Sequence, residues 1–473
     1  MRKFRRRSLL ILAVLAAIGT VVFLIDRNSA KAAWENYAAA AKARGVKLSL
    51  KDEMLPPPVP DAENFAAAPI FAQFFGPNAK DAAASKLFDL PRLKRDPKTG
   101  EPPDLEAWRS LFVEKQWLAA DATDSTPVAI LRLLDERFGA SWQQLREAAI
   151  RPQCRFPVNW EKGFGTKLPH FSALTNALKL CALRADANIA KADGPAAYED
   201  LRLLLRLHWS LEKEPTLICW IVSTSMLSAT IDCVRDGLAA HVWDDTTLLR
   251  LDGELARLHP LADYRWSMES ERGLCNDFYA AMQTADNPSR NAMLATLGGG
   301  TGTALIPPIL TKNWLYRNQL RGNQYVEELL ARIDADSGRY IPTLPGRSLL
   351  NPAPSVLERL NYVFFYLVMP TYSLTEKTAP YSHTRVQCAR TAIALERWRL
   401  VHGAYPDSLA ALVPGLLPVV PHDVMDGQPL RYRRTEAGGY LLYSIGIDAR
   451  DDGGTGPKPG KSPKDAPDWL WKP

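Results

Sequence analysis

Ser210-Leu-Glu-Lys213 has the spacing of the serine–lysine pair of penicillin-recognising enzymes, and Lys98-Thr99-Gly100 matches their Lys-Thr-Gly motif. The two stand in reversed order and the Ser-Asp-Asn element between them is missing, so both read as chance matches. The run Gly298-Gly299-Gly300-Thr301-Gly302 lacks the Gly-Lys-Ser/Thr of a phosphate loop, and Gly163-Phe-Gly165-Thr-Lys167 has the wrong order for that job. No His-Glu-x-x-His and no Gly-x-Ser-x-Gly occurs. The seven histidines (His170, His208, His241, His259, His383, His402 and His422) are scattered without ligand spacing. His208 falls on the apolar face of a helical pattern, the place of a satisfied core histidine. His402 precedes Gly403, where the negative end of a helix favours positive charge. Glu269 and Glu271, with Arg265 and Arg272, form a charged helical patch that reads as an ion-pair network rather than an acid–base pair. No catalytic or cofactor-binding residue is assigned.

Charge narrows the partners. The chain carries a net +6, of which Arg2, Lys3, Arg5, Arg6 and Arg7 supply five, so residues 8–473 are close to neutral. The basic start is an orientation signal rather than a nucleic-acid surface, and nucleic acid is not an expected partner. Residues 8–25 are 18 residues without a charge. At roughly 1.5 Å per helical residue they just cross a hydrocarbon core of roughly 30 Å. The positive-inside bias keeps the N-terminus cytoplasmic and sends the rest across. The expectation is a single-pass protein of the inner (cytoplasmic) membrane, in contact with the lipid bilayer through residues 8–25, its bulk extracytoplasmic. A cleavable signal peptide ending near Ala30-Lys31-Ala32 is the competing reading, and it exports the same bulk. The six cysteines form no Cys-x-x-Cys pair and are expected to be buried free thiols, with a disulfide framework as the alternative.

The periodicity predicts a mainly α fold: a transmembrane helix, an array of α-helical hairpins and a small C-terminal α+β part. After the basic tail (1–7) and the span (8–25), residues 26–60 hold an Ala-rich helix ended by Gly45 and the Pro-rich linker 54–60. Residues 61–150 mix short helical pieces with Pro-rich breaks. Residues 151–375 form the helical body, with helices over 169–191, on to about 213, from 215 and over 246–258. Residues 216–231 are uncharged but include six Ser/Thr, and a buried helix is expected there rather than a second span. Residues 362–369 are too short to cross and read as a core segment. Residues 376–454 form the α+β part: a helix over 385–402 ends at Gly403, a short second helix runs to Val413, and segments 430–433 and 440–445 pair around Gly438-Gly439. The Gly/Pro/Lys-rich tail 455–473 is expected to be flexible, apart from the aromatic end Trp469-Leu470-Trp471.

The block 394–454 resembles the C-terminal domain of the major pseudopilins of type II secretion systems. The matching residues are His402-Gly403-Ala404-Tyr405-Pro406, Ser408-Leu409, Leu412-Val413, Pro421, Asp423, Asp426-Gly427-Gln428-Pro429, Tyr432 and Tyr443-Ser444-Ile445-Gly446-Ile447-Asp448. The chain also resembles uncharacterised bacterial membrane-anchored proteins with a segment like Pro60-Asp61-Ala62-Glu63-Asn64-Phe65. The start Arg-Arg-Arg-Ser-Leu-Leu-Ile departs from the pseudopilin Gly-Phe-Thr-Leu-x-Glu processing motif, which argues against filament assembly and for a reused module. In the major pseudopilins the loop after the last strand binds calcium, and the resemblance points to Asp448, Asp451 and Asp452 as the corresponding ligands. Clustered carboxylates in a Gly-bearing loop suit that hard cation, although the spacing is not that of an EF-hand.

The expected function is a membrane-anchored extracytoplasmic protein with a structural or protein-interaction role toward other envelope proteins. One alternative is an envelope hydrolase whose site assembles only in the fold. Another is an accessory of type II secretion or pilus-like machinery.

Overall fold

A computed structural model describes residues 29–76, 104–121, 123–286, 312–342, 375–458 and 460–472, with short pieces at 87–93, 288–293 and 358–372. The expected span 8–25, Lys98-Thr99-Gly100, the glycine run 298–302 and most of 362–369 lie outside the described residues.

Residues 29–43 form helix α1, and Gly45 takes the left-handed conformation beyond it (φ 77°). The chain then crosses α10 (Pro260–Thr284) as a strap that includes the short helix α2 (Leu50–Glu53). Asp277 of α10 accepts the amides of Leu50 and Lys51, each at 3.0 Å. Gly273 makes the close approach feasible, since a Cβ there would stand 2.8 Å from the Leu50 nitrogen.

After the short α3 (Pro69–Ala72) come α4 (Leu105–Glu114), α5 (Thr126–Ala149), α6 (Phe171–Ala190), α7 (Gly194–Glu212), α8 (Leu217–Ala239) and α9 (Asp245–Leu255). Local chemistry sets their starts. Asp104, Asp193 and Asp244 cap α4, α7 and α9 by accepting the amides of Ala107, Ala196 and Thr247. Proline near the first position opens α5, α7 and α10. The start of α8 has no cap of its own. There Glu271 of α10 accepts the Leu217 amide at 3.0 Å, so half of the expected charged patch caps a neighbouring helix. The other half, Arg265–Glu269 at 3.3 Å, is an ion pair.

Leu217–Ala239 is long and apolar enough to cross a membrane by length and composition. More than half of its most apolar stretch is buried against neighbouring helices, as expected for a core helix of the array. Helix α11 (Lys312–Ala331) packs along α10 through a buried amide cluster in which Asn276 contacts Asn323 and Gln319 at 2.7–3.2 Å.

The C-terminal part begins with α12 (Thr378–His402), which ends at left-handed Gly403 (φ 75°). A boundary was expected at residue 376, but the packing is continuous across it. Val386, Ala389, Ile393 and Leu395 share one hydrophobic core with α6, α7 and α9, and with Leu430, Leu442 and Trp471 on the other side. A helix covered on both sides cannot show the single apolar stripe of a surface helix. Arg385, Arg390 and Arg397 fasten it to Asp232, Asp252 and Asp245 of α8 and α9 at 2.8, 2.8 and 2.6 Å.

Strands β1 (Ile333–Asp334) and β2 (Arg339–Tyr340) form a small ribbon after α11. Strands β3 (Arg431–Arg434), β4 (Tyr440–Ser444) and β5 (Trp469–Trp471) form an antiparallel sheet in that order, with the expected turn at Gly438. The aromatic end set apart from the tail forms β5, and Ala466 and Asp468 on the approach to it are buried. Trp469 and Trp471 are both buried, and alternation puts them on the covered face. Burying two indoles outweighs the cost of ordering a Gly/Pro-rich approach.

Candidate functional site

A cleft of about 880 Å³ opens in the helical body. One wall is the end of α5 and the extended segment 150–155. The facing wall is α7, with Glu254 of α9 and the following Arg257 at one end and Pro56, Pro57 and Val59 of the strap at the other. Six arginines and Lys213 line it, against four glutamates.

The extended wall is held by a segment distant in sequence. Asn64 is buried, and its side-chain oxygen accepts the amides of Ala66 (3.1 Å) and Arg155 (2.9 Å) while its Nδ2 donates to the Arg155 carbonyl (3.0 Å). The Gln153 amide donates to the Glu63 carbonyl, and the Phe65 amide to the Gln153 carbonyl. From the opposite wall Arg206, 8 % exposed, donates to the carbonyls of Arg151 (2.8 Å) and Gln153 (2.7 Å) and lies over the Phe65 ring. Burial holds its guanidinium below the usual pKa. Arg155 pairs with buried Glu214 at 3.4 Å, and Glu214 also accepts the Phe156 amide. Higher in the cleft, Arg202 pairs with Glu199, and Arg257 pairs with Glu254 and covers the Trp209 ring at 4.5 Å. Arg146 makes no ion pair or hydrogen bond among the described residues. A neighbouring cleft of about 580 Å³ shares Pro56, Pro57 and Lys213 and adds Arg44, Lys47 and Arg265.

Burial pushes the Glu214 carboxyl up to about 7, against the pull of Arg155. It pushes that of Asp200 to about 6, against Arg184 and Asn188. Both folded values exceed those of the open chain, so at these two groups the native state binds more protons between about pH 4 and pH 7, and their contribution to stability falls as pH rises. Buried His170 and His383, held down to about 3 and about 4, act with the opposite sign. The melting temperature of Glu214→Gln should therefore gain on that of the wild type by several degrees between pH 5.5 and pH 8. A difference that stays constant over this window contradicts the account.

The residues singled out in the sequence are placed elsewhere. Ser210 is buried and donates to the Leu207 carbonyl (2.6 Å), while Lys213 pairs with Glu212, so they form no dyad. His208 is buried with its Nδ1 against Ser223, a core histidine as expected. His402 lies at the α12 end, its Nδ1 2.9 Å from the Trp398 carbonyl and its ring stacked on Trp398. All six cysteines are unpaired.

Asp448, Asp451 and Asp452 share one loop but bond in different directions. Asp448 accepts the Arg450 amide. Asp451 accepts from the Gly453 amide and Tyr443, both at 3.0 Å, and stands 3.5 Å from Arg431. The Gly453 amide holds its carboxyl below the usual range. Buried Asp468 accepts the loop amides of Gly454 (2.9 Å) and Thr455 (2.8 Å). Among the described residues no group of three or more His, Cys, Asp or Glu is arranged to hold a metal ion.

The cleft was missed at the sequence level. Its only signal was the four-residue spacing of Arg151/Arg155 and Arg202/Arg206, and nothing local shows that the two pairs face each other.

The chain matches no protein-family model, and neither a curated protein nor a solved structure was found to match it.

Proposed function

We propose that this chain is a membrane-tethered envelope protein whose helical body binds a partner in the arginine-lined cleft. The observation that carries the reading is the cleft: open, held by buried contacts, and lined by arginines, glutamates and apolar side chains. Its tether is the uncharged run 8–25 behind five positive charges. The hydrolase alternative rests on Glu212 in the wall and nearby Asp263, whose carboxyl is raised to about 7 by burial and by Glu212. The test is fractionation of cells expressing the full chain. It should stay with membranes through alkaline extraction, and external protease should degrade the body in spheroplasts but not in intact cells. Release into the soluble fraction, or protection of the body in spheroplasts, counts against this topology.

A further inference from the structure

We propose that the cleft holds an extended acidic peptide segment of a partner protein, gripped through about two carboxylates spaced among apolar side chains. This rests on the interaction reading above and names the chemistry of the partner.

The number of carboxylates follows from the pairing inside the cleft. Glu199, Glu212 and Glu254 are matched by Arg202, Lys213 and Arg257, and Arg155 is matched by Glu214 behind the wall. Glu147 accepts only from the Gln143 amide group. Arg146, Arg151 and Arg206 form no ion pair with a carboxylate among the described residues, although Arg146 exerts a pull on the buried Asp200 carboxyl. Arg151 and Arg206 bond to backbone carbonyls instead, which fixes their guanidinium groups without cancelling their charge. Arg146 and Arg151 keep N–H groups for charge-assisted hydrogen bonds to carboxylates, whereas Arg206, 8 % exposed and with one terminal nitrogen committed to two carbonyls, adds positive charge to the cleft.

The lining also disfavours a uniform polyanion. A nucleic acid or polyphosphate carries charge at every unit and would bring phosphates against Glu147, Glu199 and Glu254. A peptide can place acids opposite the free arginines and apolar residues elsewhere. The apolar surface for those residues is present: Ile150 is 80 % exposed at the rim, beside Leu203, Trp209 and Val59. An open volume of about 880 Å³ is of the size that encloses small ligands and short chain segments.

The test is fluorescence anisotropy with the full-length protein in detergent micelles. The ligands are a labelled peptide alternating glutamate with leucine, its glutamine counterpart, and polyphosphate as competitor. The glutamate peptide should bind, weaken with added salt, and bind at least about tenfold more tightly than the glutamine peptide. Arg146→Glu, a change at an exposed side chain, should weaken it by a similar factor in a protein that keeps its helical circular dichroism. Equal binding of the two peptides, no effect of Arg146→Glu, or complete displacement by polyphosphate at lower concentration than by unlabelled peptide overturns the proposal. Absence of peptide binding by a protein that fractionates as a membrane-tethered chain overturns this inference and leaves the envelope reading standing.

Discussion

Asp423→Ala is expected to destabilise the protein by about 3 kcal/mol or more, a fall of several degrees in melting temperature. Asp423 has no exposed surface and gathers four donors: the amides of Met425 (3.0 Å) and Ile445 (2.9 Å), the Ser444 hydroxyl (2.8 Å) and Arg431 (3.3 Å). Removing the carboxylate strands two buried amides and a buried hydroxyl in a site too tight to admit their replacement partners. That is costlier than losing an exposed ion pair. Burial raises the Asp423 carboxyl above its ordinary pKa despite these donors, so its main role is geometric. It joins the turn before β3 to the end of β4. Asp423→Asn, which keeps the shape but offers a single acceptor oxygen, should cost less than the alanine change. Equal melting temperatures for wild type and Asp423→Ala, measured by circular dichroism, would remove this carboxylate from the account of the fold.

The second large effect is expected at Asn64. Its amide group makes three hydrogen bonds to backbone groups, two of them to the segment that walls the cleft. Asn64→Ala should cost about 2–3 kcal/mol in stability, since each unsatisfied buried group carries its own desolvation penalty. It should also loosen residues 151–155, and so weaken any ligand of the cleft more than its effect on melting alone predicts. Hydrogen exchange should show faster exchange of the Gln153 and Arg155 amides, with α12 amides changed only in step with global stability. If exchange rises uniformly over the chain, the segment is not a local clamp. Asn64→Asp is the informative companion, because it keeps the acceptor oxygen but cannot donate to the Arg155 carbonyl.

The sequence made some of this fold legible and concealed the rest for identifiable reasons. The helices α6 to α9 show in their spacing of Leu and Ala and in capping residues such as Asp193, because those signals are local. The hairpin β3–β4 shows for the same reason, through Gly438-Gly439. Helix α12 was located, but its membership of the main core was hidden. Its arginines look like a solvated face until Asp232, Asp245 and Asp252 are brought opposite them. The aromatic end stood out from the composition of the tail, but its pairing with β4 rests on residues more than twenty positions away and left no local sign. The segment around Asn64 was noticed as a pattern without a role, and its role is contact with residues about ninety positions away. The cleft depends wholly on such distant approaches, so no spacing rule could have exposed it.

The shared core of α12 and β5 also constrains the order of events in the life of the chain. Phe65 and Trp471 belong to one continuous core, so segments far apart in sequence must meet before that core closes. A chain that emerges from its N-terminus can assemble the α5–α9 hairpins early, from contacts close in sequence. It cannot seal the surface of α12 until the final strand has emerged. During that interval an apolar face stays open in whichever compartment receives the chain, and loss of the last few residues would act as a folding defect of the whole body rather than a local trim.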